Sequence, residues 1–324
     1  MSRYYLGIDT SCYTTSLGVI DENNNILLDL RKVLEVKDRE KGLRQQQALF
    51  QHVSNIPFLI ERLSKNIDIN KIDTISVSSK PRDSIDSYMP VFIVGKNQAL
   101  ILSMILKKNY KEFSHQEGHI GSLLLEHEKV IGKQEEFLAL HISGGTSELL
   151  YVKNIVYNME IEIVGGSLDI SFGQLIDRIG VYLGLKFPCG EEMEKLSDKG
   201  KLIDIKIPIS IKNKYWTNLS GLENYFLRLI YSKNYPVEDI IHTLFHTVSM
   251  VIEKMIRNFI KDTNINKVLF TGGVSANNYI RKYLINAFTD EAIIIFPKRE
   301  LSTDNAIGIA YLGMTRKGHM EVNE

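Results

Sequence analysis

Two regularities predict an α/β fold in two lobes. Short apolar strands alternate with amphipathic helices, and the order strand, small polar turn, strand occurs near the start and again near residue 140. The length of 324 residues, with 44% hydrophobic and 24% charged residues, is ordinary for a globular chain of about two domains. The pattern places one lobe at residues 1–112, joined by a C-terminal helix at 303–324, and the other at 113–302.

Composition excludes several classes of protein. Basic and acidic residues number 39 each, so the formal net charge is +0, no global field draws the chain to nucleic acid or membrane, and RNA binding requires a local patch. Cys12 and Cys189 match neither a disulfide framework nor a Cys-x-x-Cys metal site, which fits a reducing compartment. No apolar stretch reaches the ~18 residues of a membrane span and no signal peptide opens the chain, so a cytoplasmic protein without a membrane partner is expected.

Tyr4 to Ile8 is an apolar strand running into Asp9-Thr10-Ser11, and Ser16 to Ile20 and Ile26 to Arg31 continue as strands about Asn23-Asn24-Asn25. This hydroxyl-rich hairpin resembles the opening of the actin, hexokinase and heat-shock ATPases. Gly42 to Ser64 shows a helical stripe through Ala48, Val53, Ile56, Leu59, Ile60 and Leu63, with Pro57 as a kink or a division. Thr74 to Ser78 reads as a strand and Val91 to Leu106 as a helix. The charged loop Lys80 to Pro90 between them is long enough to carry function.

Next comes His115-Gln116-Glu117-Gly118-His119, with Ser114 as the N-cap and Glu117 completing a capping box. Positions i and i+4 share a helix face, so both imidazoles can converge on one cation. The plain alternative is two polar residues at a helix start. A zincin motif is excluded, because Glu117 lies two residues after the first His and not one.

Phe137 to Ile142 is a strand leading into Ser143-Gly144-Gly145-Thr146-Ser147, whose glycines allow close ligand approach, and Glu148 to Val152 follows as a strand. Ile161 to Val164 is another strand, and Asp169 to Leu183 a helix with Asp177 off its apolar stripe. A short helix spans Glu191 to Leu196. Lys199 to Asn218, holding Trp216, is the least regular stretch, an insertion or a hairpin. Val237 to Thr263 is a long striped helix. Lys267 to Thr271 is a strand entering the turn Gly272 to Asn277 and the helix Asn278 to Ala287, an arrangement that suits a phosphate or a plain tight turn. After the strand Ala292 to Phe296, Asp304 precedes a helix from Ala306 to Arg316. It is either a cap or a third metal ligand.

Taken in order, these motifs resemble the tRNA N6-adenosine threonylcarbamoyltransferase family, formerly called O-sialoglycoprotein endopeptidases. The resemblance rests on Gly7 to Cys12, His115 to His119, Ser143-Gly144-Gly145, Asp177 with Pro188-Cys189-Gly190, Ser220-Gly221-Leu222, Gly272 to Asn277 and Thr303-Asp304-Asn305. It implies a two-lobed actin-like ATPase fold with a central cleft. It further implies one iron or zinc ion on His115, His119 and Asp304, and an adenine nucleotide or acyl-adenylate as ligand. Ser143, Gly144 and Gly145 would meet its phosphate, while Asp177, Gly190, Asn277 and Glu194 would hold its nucleoside. The implied reaction moves a threonylcarbamoyl group from its adenylate to N6 of a tRNA adenosine, and nothing in the sequence supports a protease.

Departures from the family pattern imply a divergent paralogue. Tyr13 and Thr14 replace an acidic pair, Thr146 replaces a histidine, and Pro81 to Pro90 replaces a glycine-rich loop. Arg82 thereby becomes a candidate contact for an acidic ligand. The competing expectation is a catalytically silent nucleotide- and metal-binding partner, docking a paralogue or a second copy through the first-lobe helices. The residues do not identify a catalytic group, the acceptor or the metal.

Overall fold

The computed structural model describes residues 2–11, 13–36, 43–84, 86–131, 135–155 and 158–318. Cys12, the expected helix start Gly42, Ile85 of the charged loop and residues 319–324 of the expected C-terminal helix lie outside them. In chain order the elements are β1 (Tyr4–Ser11), β2 (Thr14–Asp21), β3 (Ile26–Val33), α1 (Gln45–Asn66), β4 (Ile72–Lys80), α2 (Val91–Leu106), β5 (Asn109–Ser114), α3 (His115–His127) and β6 (Glu135–Ile142). There follow β7 (Ser147–Ile155), β8 (Asn158–Ser167), α4 (Phe172–Tyr182), α5 (Gly190–Ser197), β9 (Ile211–Lys212), β10 (Trp216–Thr217) and α6 (Ser220–Ser232). The chain continues through α7 (Val237–Thr263), β11 (Lys267–Thr271), α8 (Asn278–Ala287), β12 (Ile293–Ile295), α9 (Arg299–Ser302) and α10 (Ile307–Thr315).

The chain divides into two compact units. The first comprises Met1–Glu135, Asn154–Glu160 and Thr303–Glu324, and the second Glu136–Lys153 and Ile161–Ser302. The boundary drawn from the sequence at 112/113 is thereby corrected: α3, with its histidine pair, belongs to the first unit, because it packs closely on α10.

In the first unit a sheet of order β3-β2-β1-β4-β5 is built on β1, which is buried from Tyr5 to Ser11. Asp9, Thr10 and Ser11 are therefore the end of that strand rather than a turn. Side chains alternate across a strand, so Gly7 and Asp9 share one face while Thr10 takes the other. Thr10 Oγ1 donates to Val91 O at 2.9 Å, fastening the start of α2. On the opposite face, a Cβ at Gly7 would come within 2.1 Å of Ala306 O, so only glycine admits the entry to α10 there. Leu6, Ile8, Leu17, Val19, Ile75 and Val77 form the core with Leu59, Leu63 and Ala99. Pro57 lies inside α1 without dividing it.

The second unit holds a sheet of order β12-β11-β6-β7-β8-β10-β9, with β6, β11 and β12 parallel. Leu138, Leu140 and Phe270 of this sheet bury themselves against Leu244, Val248, Ile252 and Met255 of α7. The helix expected from Asp169 begins instead at Phe172, capped by Ser171. The irregular stretch after Lys199 ends in the small antiparallel pair β9–β10. Among the described residues, no helix is long and apolar enough to cross a membrane.

Candidate metal centre and nucleotide-binding turns

Three ligand-type atoms converge within the first unit. His115 Nε2 and His119 Nε2 are 3.1 Å apart and lie 3.6 and 3.5 Å from Asp304 Oδ1. One ligand atom from each residue falls within 4.8 Å of the others. The expected cap forms at α3: Ser114 Oγ accepts the Glu117 amide, and Glu117 returns to the Ser114 amide at 2.6 Å. That turn faces both rings the same way. Asp304 is no cap, because Asn305 Oδ1 takes the Ile307 amide at 3.0 Å.

Glycine brings the late aspartate to the early histidines. A Cβ on Gly308 would stand 1.8 Å from Gly118 O, and one on Gly121 2.6 Å from Gly308 O, so α3 and α10 cross almost backbone to backbone. Ser122 Oγ adds a 3.0 Å hydrogen bond to Asn305 Oδ1.

Beneath the rings lies Asp9, completely buried, with Oδ1 3.1 Å from His115 Nδ1 and accepting the Ser78 hydroxyl. Its role was not anticipated from the sequence, where Asp9 figured only within a motif. The available signal was a carboxylate ending an otherwise apolar strand. Asp9 Oδ2 has no hydrogen-bond partner among the described residues. Phe92 packs its ring 5.9 Å from that of His115.

The charges interlock. Burial alone would lift the Asp304 carboxyl, but the two imidazoles hold it well below the usual carboxylate range. Burial would likewise depress His115, yet Asp9 and Asp304 raise it well above an ordinary imidazole. Burial and the neighbouring His115 charge keep His119 low. Two imidazole nitrogens and a carboxylate oxygen, backed by a further carboxylate on the far ring nitrogen, suit zinc or iron and leave coordination positions open.

The remaining predicted residues, Arg82 apart, lie in the second unit. At the turn after β6, Ser143 Oγ accepts the Gly145 and Thr146 amides at 3.3 and 3.0 Å, and Ser171 Oγ donates to Gly144 O at 2.9 Å. Asp177 Oδ1 accepts the Cys189 amide at 2.8 Å beside Gly190, and burial raises its carboxyl. Glu194 accepts the Asn278 amide at 3.1 Å and pairs with Arg299 at 3.0 Å. Asn277 Oδ1 caps α8 through the Ile280 amide. A Cβ at Gly144, Gly145, Gly190 or Gly273 would meet nothing within 4 Å, so packing does not explain glycine there, whereas Gly272 needs its φ of +89°. Arg82 is exposed on the loop after β4, its amide donating to Ser87 Oγ at 2.8 Å.

Residues 31–311 match the family model described as tRNA N6-adenosine threonylcarbamoyltransferase. An enzyme of that name from Sulfurihydrogenibium sp. is 32% identical over 96% of this chain and 90% of its own, and one from Thermotoga neapolitana 29% identical over 95% and 92%. Among solved structures, HypF of T. kodakarensis superposes with a TM-score of 0.64 at 13% identity, covering 96% of this chain and 48% of that one. A glucokinase of the ROK family from Streptomyces griseus gives 0.53 at 9% identity, covering 96% and 98%. These likenesses show an actin-like ATPase fold.

Proposed function

The chain belongs to the tRNA N6-adenosine threonylcarbamoyltransferase family, and from that membership we propose that it transfers a threonylcarbamoyl group from its adenylate to N6 of an adenosine in tRNA. The observation that carries the metal-dependent form of this reading is the convergence of His115 Nε2, His119 Nε2 and Asp304 Oδ1 over a buried Asp9. When bound there, a divalent ion, iron or zinc, would act as a Lewis acid toward the acyl-phosphate end of the donor.

The chain's own residues would supply position and charge. His119, whose pKa burial lowers, would offer a ring-nitrogen lone pair, while Asp9 would fix the His115 ring through Nδ1. In the second unit the bare backbone at Gly144 and Gly145 suits the phosphate, with Ser143 ordering the turn. Asp177, Gly190, Glu194 and Asn277, gathered around α5 and the start of α8, suit the nucleoside. In the transfer, the adenosine N6 forms a bond to the carbamoyl carbon, the bond from that carbon to the phosphate oxygen breaks, AMP leaves and N6 loses a proton. Exposed Arg82 would meet the acidic part of the donor.

Incubation with threonylcarbamoyl-adenylate and unmodified tRNA, read by mass spectrometry, tests this: modified adenosine and AMP are expected together. Failure to release AMP with any acceptor would sink it.

A second reading, a silent partner protein, draws on the loss of acidic residues at Tyr13 and Thr14 and on the apolar exposure of the first-unit helices. Phe50, Val53 and Phe58 on α1 and Ile101, Met104 and Ile105 on α2 all face solvent. It expects a dimer with a paralogue or a second copy. A monomer at high concentration, alone and with paralogues, would dispose of it.

A further inference from the structure

Between residues 199 and 214 the chain carries five lysines and one acid, Asp204, although its overall charge balances. The segment runs extended along the second unit. Ile203, Ile205, Ile207, Ile209 and Ile211 turn inward onto the core, and Lys206, Ser210 and Lys212 turn out to solvent. Partly open aromatic rings lie among the cations. Lys212 stands directly across from Trp216 in the β9–β10 pair, which puts both side chains on one face. Tyr225 donates its hydroxyl to Lys206 O at 3.2 Å, and the Arg228 guanidinium sits 6.0 Å from the centre of the Tyr225 ring. Lys206, Lys212 and Arg228 form no ion pair among the described residues, whereas Lys214 is held by Asp262 at 2.9 Å.

We propose that this strap, with Trp216, Tyr225 and Arg228, is the face on which an RNA backbone docks. The inference rests on tRNA being the acceptor and names the surface that receives it. A chain without net charge attracts a polyanion only through a local patch. From Lys206 to Lys212 the extended backbone spans ~20 Å, a row rather than a point of positive charge. Flat rings beside cations favour nucleic acid over an acidic peptide, because unpaired bases stack on such rings while phosphates meet the lysines. The inward isoleucines anchor the row, so its charges are presented without the cost of ordering a loop.

The test uses the full chain, an unmodified tRNA transcript and fluorescence anisotropy across a potassium chloride series. The triple variant Lys206→Glu, Lys212→Glu, Arg228→Glu is expected to bind about tenfold or more weakly near 0.1 M salt, with the log–log salt slope reduced by about 2–3. Lysine-to-arginine changes at 206 and 212 should retain binding. Reversing three exposed lysines of the first unit, Lys65, Lys71 and Lys107, serves as the control for net charge. Equal affinity and slope in the triple variant, or an equal loss in the control, overturns the proposed face while leaving the transferase reading intact. A wild-type chain that binds no tRNA overturns both. An unchanged thermal transition in the triple variant shows that lost binding is not lost folding.

Discussion

His115 Nδ1 lies 3.1 Å from Asp9 Oδ1, and that contact sets which nitrogen the imidazole turns toward His119 and Asp304. With the proton held on Nδ1, Nε2 is free to serve as a ligand. Asp9→Asn removes the charge that holds the ring and should weaken zinc binding about 10–100-fold, measured by competition with a chromogenic chelator. His115→Ala should abolish binding while the protein stays folded, since the core of the first unit is built without a metal. Wild-type affinity in Asp9→Asn would show that the contact does not orient the ligand.

Gly308→Ala tests how the site is assembled. The new methyl would fall 1.8 Å from Gly118 O, and backbone cannot yield as a flexible side chain does. Destabilisation of about 3 kcal/mol or more is expected in urea unfolding, with loss of zinc binding because Asp304 enters on the same segment. A stability within about 0.5 kcal/mol of wild type would mean that α3 and α10 separate readily.

How much of this was legible in the sequence depends on the range of the interaction. The cap of α3 is local, so Ser114, Glu117 and the shared face of His115 and His119 could be read from spacing alone. The helices at Val91–Leu106, Val237–Thr263 and Asn278–Ala287 have the bounds read from the sequence. From the residues Asp304 is either a cap or a third ligand, and only the family resemblance joins it to the histidines, because the crossing at Gly118 and Gly308 brings together segments that no periodicity connects. β5 went unread: Asn109 to Ser114 alternates too weakly, and its place is set by pairing with β4. Asp169 looked like the first residue of a helix, yet its carboxylate serves a different segment.

That carboxylate carries a pH prediction. Asp169 accepts the Leu219 and Ser220 amides at 2.8 and 3.1 Å, the Ser220 hydroxyl at 2.5 Å and the Ile170 amide at 2.7 Å. Burial pushes its pKa up, but these donors outweigh burial and hold it below the ordinary value. A group depressed in the folded state stabilises above its unfolded pKa, about 3.9 for aspartate, and that contribution is lost as pH falls through the folded value. Asp169→Ala should therefore cost about 1–2 kcal/mol near neutral pH, moderated by solvent, and the difference from wild type should shrink below about pH 4. Urea midpoints at several pH values measure it, and a gap that widens in acid would contradict the assignment.

By the family resemblance Arg82 takes the place of a glycine, and its loop is tied to the helix that carries the histidine pair: Gln116 donates its amide to Pro81 O at 3.0 Å. The residue after Pro81 is thereby held near the first turn of α3, while Lys80 and Asp83 pair at 2.6 Å. An arginine here gives up the close backbone approach that glycine permits and gains a fork able to grip a carboxylate or phosphate at two points. Arg82→Ala should weaken an acyl-adenylate analogue by about 1.5–3 kcal/mol, the worth of a charge-assisted hydrogen bond, and leave adenosine unaffected, since adenosine brings no acidic group. Calorimetric titration of both ligands into both proteins separates the cases. Equal affinities of mutant and wild type for the acyl-adenylate would make Arg82 a solvated loop charge, and a matching loss for adenosine would point to a disturbed loop rather than a lost contact.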